Sequence, residues 1–205
     1  MSSPISAEIV RANYARIQDA VGEGVTVVVA TKYVSADDLE LLAKAGVSVV
    51  GENRLQDLQA KHARFAERFR WHFIGHLQSR KARDVSAVCE LVHSLDSISA
   101  AKRLTAPALV EVNLSGEETK SGVPRSELAS FLSEARELGT EIRGLMTMPP
   151  LAEDPEASRP YFRELRELAG EHSLQELSMG TSQDYRVAAE EGATLVRVGS
   201  VVFGR

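Results

Sequence analysis

Lys32 has the plainest chemical potential in this sequence. It follows a β-branched run at 25–30 and, at a period of two, shares a strand face with Ala30 and Val28. If that face turns inward, the ammonium enters a walled cavity, where burial disfavours the charged form and leaves an amine able to add to a carbonyl. The alternative is a lysine at a strand end that extends to water. A second group is Gly180-Thr181-Ser182, ahead of a helical stretch, with Gly199-Ser200, after an apolar run. Glycines admit close backbone approach, and hydroxyls with helix N-termini favour an anion. Either pair alone is also ordinary turn composition. Arg197 is the third: it lies among Val196, Val198 and Val201, where an unpaired guanidinium is costly. It either makes a structural ion pair, with Glu111 a candidate, or faces a bound acceptor. A lysine, an anion cup and an inward arginine together suggest pyridoxal 5′-phosphate: Lys32 as Schiff-base amine, the cup for phosphate, Arg197 for the pyridine nitrogen. A lysine-dependent aldolase acting on a phosphorylated sugar would use the same lysine and cup.

The elements that must position these groups are short and alternate. Apolar runs at 25–30, 47–50, 71–74, 91–95, 108–112, 142–146, 174–179 and 194–198 have the length of buried strands. Amphipathic stretches separate them, at about 35–45, 52–68, 78–87, 98–104, 124–138, 159–169 and 182–191, several closed by glycine. A further one at 6–21 precedes the first strand. Near-continuous apolar strands alternating with helices indicate a parallel sheet covered by helices. Eight such units in 205 residues predict a single α/β domain over 1–205, a (β/α)8 TIM barrel at the compact end of its size range. After the eighth run seven residues remain, too few for a closing helix, so the stretch at 6–21 is expected to cover that gap. An open doubly wound sheet is the alternative, weakened by the lack of a G-x-G-x-x-G turn after any strand. In a barrel the active site lies at the carboxyl ends of the strands, and the loops after strands seven and eight recurrently hold phosphate. Lys32, Asn53, Ser182, Arg197, Gly199 and Ser200 all fall there.

Other candidates are weaker. His72 and His76 are four apart, but Gly75 and a strand pattern spoil the geometry of a helical metal pair. Trp71 and Phe73 share the face opposite His72 and Ile74 and read as packing. Cys89, the one cysteine, excludes an internal disulfide and reads as core. With 43% apolar and 26% charged residues the chain is in the ordinary globular range. Its 24 basic and 29 acidic residues give −5, and its densest basic cluster, Arg80-Lys81-Ala82-Arg83, is short, so no nucleic-acid partner is expected. No run approaches the ~20 apolar residues of a membrane span, and the start lacks a leader pattern, so a soluble cytoplasmic location is expected.

Seven ordered segments carry a resemblance over nearly the whole chain. They are Ala30-Thr31-Lys32, Gly51-Glu52-Asn53, Trp71-His72-Phe73-Ile74-Gly75-His76-Leu77-Gln78, Lys120-Ser121-Gly122, Arg143-Gly144-Leu145-Met146, Leu177-Ser178-Met179-Gly180 and Val196-Arg197-Val198-Gly199-Ser200. In these the sequence resembles the pyridoxal phosphate homeostasis protein family. The resemblance implies a barrel like the N-terminal domain of alanine racemase (fold type III), with pyridoxal 5′-phosphate held as a Schiff base on Lys32. It implies Arg197 beside the ring nitrogen, Ser182, Gly199 and Ser200 in the phosphate-binding segments, and Asn53 and Met146 lining the pocket. The sequence departs from the family pattern at Ser200, where threonine is common, at Thr181 and Gln183, which replace methionine and aspartate, and at Arg80, where asparagine is frequent.

Carriage or buffering of the cofactor is the expected function, with an amino-acid racemase as the alternative. An arginine at the ring nitrogen weakens the electron sink, and racemisation wants a base on each face, of which Lys32 serves one. Tyr33 is expected on the opposite strand face, and Tyr14, Tyr161 and Tyr185 in helices. In alanine racemases the second base comes from an additional C-terminal domain, for which this chain has no room. Enzymes that require the cofactor are the expected partners, and a monomer the expected state.

Overall fold

The computed structural model describes residues 6–32, 34–117 and 120–204. Its strands are β1 (Thr26–Ala30), β2 (Val49–Glu52), β3 (Arg70–Phe73), β4 (Leu91–Leu95), β5 (Ala108–Asn113), β6 (Val123–Pro124), β7 (Ile142–Met146), β8 (Glu176–Ser178) and β9 (Leu195–Val198). All but β6 form one closed parallel ring. Closure is made by β9 on β1, where Thr26 to Val29 pair with Leu195 to Val198, so the sheet is not the open doubly wound alternative. The two residues of β6 sit outside the ring, against Val112 and Asn113 of β5. That strand is too short to leave a period in the sequence.

The helices are α1 (Ala7–Val21), α2 (Leu39–Lys44), α3 (Leu55–Phe65), α4 (Ala82–Ser86), α5 (Ile98–Ala101), α6 (Leu128–Glu137), α7 (Arg159–Glu171) and α8 (Tyr185–Glu190). Several start later than the sequence pattern suggests, because their first residues are spent in the turns that leave the strands. Ser35, for example, accepts from Asp38 N at 3.1 Å in a turn that ends before α2 begins. The first helix starts where Ser6 Oγ accepts from Ile9 N, and its stripe Val10, Tyr14, Ile17 and Val21 is buried. It packs on α2, α8 and the 3₁₀ turn Ser200–Phe203, covering the gap left after β9. Among the described residues, no helix is long and apolar enough to cross a membrane.

Side chains alternate across the ring as a period of two requires. Trp71 and Phe73 pack outward among the helices, while Val28, Val49, Leu91, Leu109, Met146 and Leu195 fill the barrel itself. Polar residues share these inward faces, His93 one step above Leu91 and His72 level with Leu91. His72 and His93 are in the interior, His72 Nδ1 lying 2.9 Å from His93 Nε2. His76, exposed, lies 3.5 Å from Asp96, so the two histidines flanking Gly75 diverge and do not converge on one point. Cys89 is buried, and burial pushes its thiol up to about 12.

The interior histidines have a consequence for acid stability. Burial and the charges of Arg70 and Arg143 push His72 down to about 3; burial, His72 and Arg197 hold His93 well below its ordinary value. Both are neutral in the folded chain, whereas the unfolded chain takes up these protons near pH 6.5. Stability is therefore lost as pH falls below about 6.5, at up to about 1.4 kcal/mol per pH unit for each ring. Urea unfolding between about pH 6.5 and pH 5, above the range where ordinary carboxylates titrate, should show this slope.

Candidate functional site

The carboxyl ends of β1, β2, β3 and β9 and the loops after β7 and β8 enclose a cavity of about 370 Å³, within the range of small-molecule sites. Lys32, Asn53, Ser182, Arg197, Gly199 and Ser200 line it, with Ala30, Val34, Ile74 and Phe203 supplying apolar wall. Of the charged residues lining it, Lys32 and Arg197, both are basic. The cavity is thus biased towards an anionic ligand with an apolar body.

Lys32 combines the two readings left open for it: its side chain is exposed, at the rim, and it also lines the cavity. The face is the expected one: Val28, Ala30 and Lys32 step upward from the barrel interior to the cavity wall. Its neighbour Thr31 is buried and donates to Glu52 Oε1 at 2.6 Å, and Lys61 Nζ donates to Thr31 O at 2.8 Å. Lys61 and Glu52 complete a buried ion pair directly behind the strand end. Tyr33, expected on the opposite face, lies outside the described residues.

Asn53 leaves β2 beside Gly75. A Cβ on Gly75 would stand 2.1 Å from Asn53 O, so only glycine lets the two strand exits approach this closely. Ser94 Oγ donates to Gly75 O and holds that exit. The Asn53 Oδ1 is buried, with no hydrogen-bond partner among the described residues. Such an atom is costly unless a ligand satisfies it.

Arg197 is buried. One terminal nitrogen donates to Ser178 O at 2.9 Å and to Ser178 Oγ; the other donates to Thr147 O at 3.0 Å and to Met148 Sδ at 2.8 Å. Its partners are these neutral acceptors and not the alternative ion pair with Glu111, while Glu111 and Asp184 act on it through charge at longer range. Burial pushes its pKa down to about 10, which leaves it a cation at neutral pH. Glu111 is occupied otherwise, accepting from Ser121 Oγ at 2.7 Å, and burial raises its pKa.

Met146, expected at the pocket wall, lies lower, in the packed interior with Val28 and Leu109. The wall is Met148, two residues on, because Met146 ends β7 and the next inward step lies above the barrel.

The far end of the cavity is polar. Gly199 N donates to Ser182 Oγ at 3.0 Å, which ties the loop after β8 to the turn after β9 and leaves the Ser182 proton to donate elsewhere. Asn13 of α1 donates to Val202 O at 3.2 Å and anchors the turn that carries Ser200. Asp184 organises the loop: Oδ1 accepts from Thr181 N at 2.7 Å and Thr181 Oγ1 at 3.0 Å, and Oδ2 from Ser158 Oγ at 2.7 Å. Threonine at 181 therefore adds a bond within the loop, while Gln183 lines the cavity. Asp184 is absent from the sequence-based site, although the spacing Thr181-x-x-Asp184 ahead of a helix is that of an acid reaching back to a threonine N–H, as in a capping box. Asp184→Ala should cost about 1–3 kcal/mol by stranding these donors. Denaturant unfolding would read that cost, and hydrogen exchange would show loss of protection at Thr181.

Comparisons with known proteins agree with this architecture. Residues 5–205 match the family described as alanine racemase, N-terminal domain. The barrel and its carboxyl-end cavity are of that class. Relatives named pyridoxal phosphate homeostasis protein include one from Aquifex aeolicus, 41% identical over 85% of this chain and 84% of its own length. Another, from Deinococcus radiodurans, is 38% identical over 99% of this chain and 100% of its own. The chain belongs to the pyridoxal phosphate homeostasis protein family. A solved structure of PipY from Synechococcus elongatus with PLP bound has a TM-score of 0.87 at 30% identity, covering 95% of this chain and 100% of that one. An arginine decarboxylase from Paramecium bursaria Chlorella virus, at 13% identity and a TM-score of 0.75 over 97% of this chain and 64% of its own, shares the fold alone.

Proposed function

We propose that the chain binds pyridoxal 5′-phosphate in this cavity as a Schiff base on Lys32, and carries and buffers it for enzymes that require it. The observation that carries this reading is the pairing of charge and shape: the cavity's charged lining residues are one amine and one guanidinium, around an apolar body with a hydroxyl-bearing end. The residues fit the group. Ser182 and Ser200 would hold the phosphate through their hydroxyls, Arg197 would offer a donor to the ring nitrogen, and the buried Asn53 Oδ1, orphaned among the described residues, lines the same cavity. PipY, bound to PLP in its own structure, supports the assignment of the cofactor.

When bound, the cofactor supplies an aldehyde and a conjugated electron sink. Lys32 Nζ is the group that would hold the aldehyde as an imine, with loss of water. Water would return the free aldehyde, and an incoming amine would take the cofactor over as its own imine, which is the chemistry a carrier needs. Lys32 at the exposed rim is open to such an amine. Arg197 favours carriage over racemisation, because a cation that only donates keeps the ring nitrogen unprotonated and the sink weak.

The test is to add pyridoxal 5′-phosphate to the purified chain, reduce with borohydride and map the labelled peptide. The visible band of a Schiff base, its loss on reduction and a label on Lys32 are the expected results. A chain that takes no label would return the lysine to the aldolase reading.

A further inference from the structure

Four buried side chains from four strands run in a line through the barrel. Arg197 of β9 donates to Ser178 Oγ of β8; Ser178 Oγ lies 2.7 Å from His93 Nδ1 of β4; His93 Nε2 lies 2.9 Å from His72 Nδ1 of β3. At the far end His72 lines a cleft in the amino-terminal mouth, together with Arg70, Glu90, Arg143 and Glu176.

The direction of the bonds follows from two facts: a guanidinium donates and never accepts, and the buried Ser178 hydroxyl has no acceptor but His93 among the described residues. Ser178 Oγ accepts from Arg197, and its single proton goes to His93 Nδ1, since a donating Nδ1 would strand that proton. A ring nitrogen that accepts carries no proton, so the His93 proton is on Nε2 and is donated to His72 Nδ1. The His72 proton is then also on Nε2. We propose that Ser178, His93 and His72 are positioning residues, a one-way hydrogen-bond chain that fixes Arg197 and thereby sets how it meets a bound pyridine nitrogen. This rests on the reading of the cavity as a pyridoxal 5′-phosphate site.

The chain is not a proton wire: it ends at a guanidinium that takes up no proton, and reversing the ring bonds would leave the Ser178 hydroxyl hydrogen without an acceptor. Protonating either ring would set a donor against a donor inside the barrel. The groups facing the rings resist it: Arg197 acts on His93, and Arg70 and Arg143 on His72. Glu90 and Glu176 share the His72 cleft, while Glu111 and Asp184 act on Arg197. On the cavity side, one Arg197 hydrogen rests on the thioether of Met148, a weak acceptor. That hydrogen is the one a stronger acceptor in the cavity would take. The three neutral residues behind it hold the guanidinium in place while it does so.

Two measurements test the proposal. In the cofactor-free chain, long-range ¹H–¹⁵N spectra should find His72 and His93 protonated at Nε2 alone from about pH 5 to pH 9. A proton on Nδ1 of either ring overturns the chain's direction, and this result needs no variant. In the loaded chain, Ser178→Ala and His93→Phe should speed cofactor release about tenfold, the loss of one charge-assisted bond. They should also shift the pH dependence of its absorption. His93→Asn, whose Oδ1 can accept where Nδ1 does, should restore the wild-type profile. Folded variants with wild-type release and spectra would overturn the positioning role. A wild-type chain with no borohydride-trapped label on Lys32 would instead overturn the cofactor reading, and this role with it.

Discussion

Lys32→Ala should abolish the borohydride-trapped adduct and the visible band while leaving the fold unchanged. The amine is the one group in the cavity lining that can form an imine, since the guanidinium of Arg197 stays protonated at neutral pH. Lys32 is at the exposed rim, so its truncation should change stability by no more than about 0.5 kcal/mol. Lys32→Arg separates charge from nucleophile: it keeps a cation near the phosphate and should give the same loss of adduct with more residual, non-covalent binding. Equilibrium dialysis of pyridoxal 5′-phosphate against both variants reads that difference. A trapped adduct persisting in Lys32→Ala, mapped to another lysine, would sink the assignment.

That prediction draws on features of very different legibility. The eight ring strands are visible in the sequence because each is buried on both faces and reads as a short apolar run. Lys32 and Arg197 are visible because each interrupts or ends such a run, where a charge needs a reason. Strand register then carries the argument further: Val28, Ala30 and Lys32 do share a face, as do Leu195 and Arg197. What sequence spacing does not reveal is which faces meet across a closed ring. His72 and His93 come from neighbouring strands but Ser178 lies 85 residues beyond His93, and each alone looks like a polar residue tolerated in a core. Their line through the barrel exists only once β3, β4 and β8 curve around a common axis.

The same limit explains the smaller misplacements. Met146 and Met148 are both candidates for the wall, and only the height at which β7 ends tells them apart. Arg197 among valines invites an acidic partner, and carbonyls at the strand exits are invisible as alternatives until the strands are placed. Lys61 reads as one more cation on an amphipathic helix, yet it is buried. Helix periodicity places a residue on a face but does not tell a snorkelling lysine from one that closes an ion pair.

Lys61 carries the second large effect. Its ammonium pairs with Glu52, which is fully buried, and also donates to Thr31 O, one residue before Lys32. Lys61→Met keeps the volume and removes the charge, stranding a carboxylate whose remaining donors are Thr31 Oγ1 and Asn53 N. The expected cost is about 3–5 kcal/mol, the penalty for breaking a buried pair from one side. Lys61→Met with Glu52→Gln removes both charges and should recover most of it, since a matched neutral pair escapes the desolvation cost. The two variants also separate stability from function. If Lys61 serves only the ion pair, the double variant regains cofactor uptake along with stability. If its bond to Thr31 O also aims the strand end, the double variant is stable but still loads Lys32 slowly. We expect the second outcome, because that carbonyl keeps no equivalent donor in either variant. Urea unfolding paired with the rate of appearance of the visible band decides it, and full recovery of both would reduce the pair to a structural one.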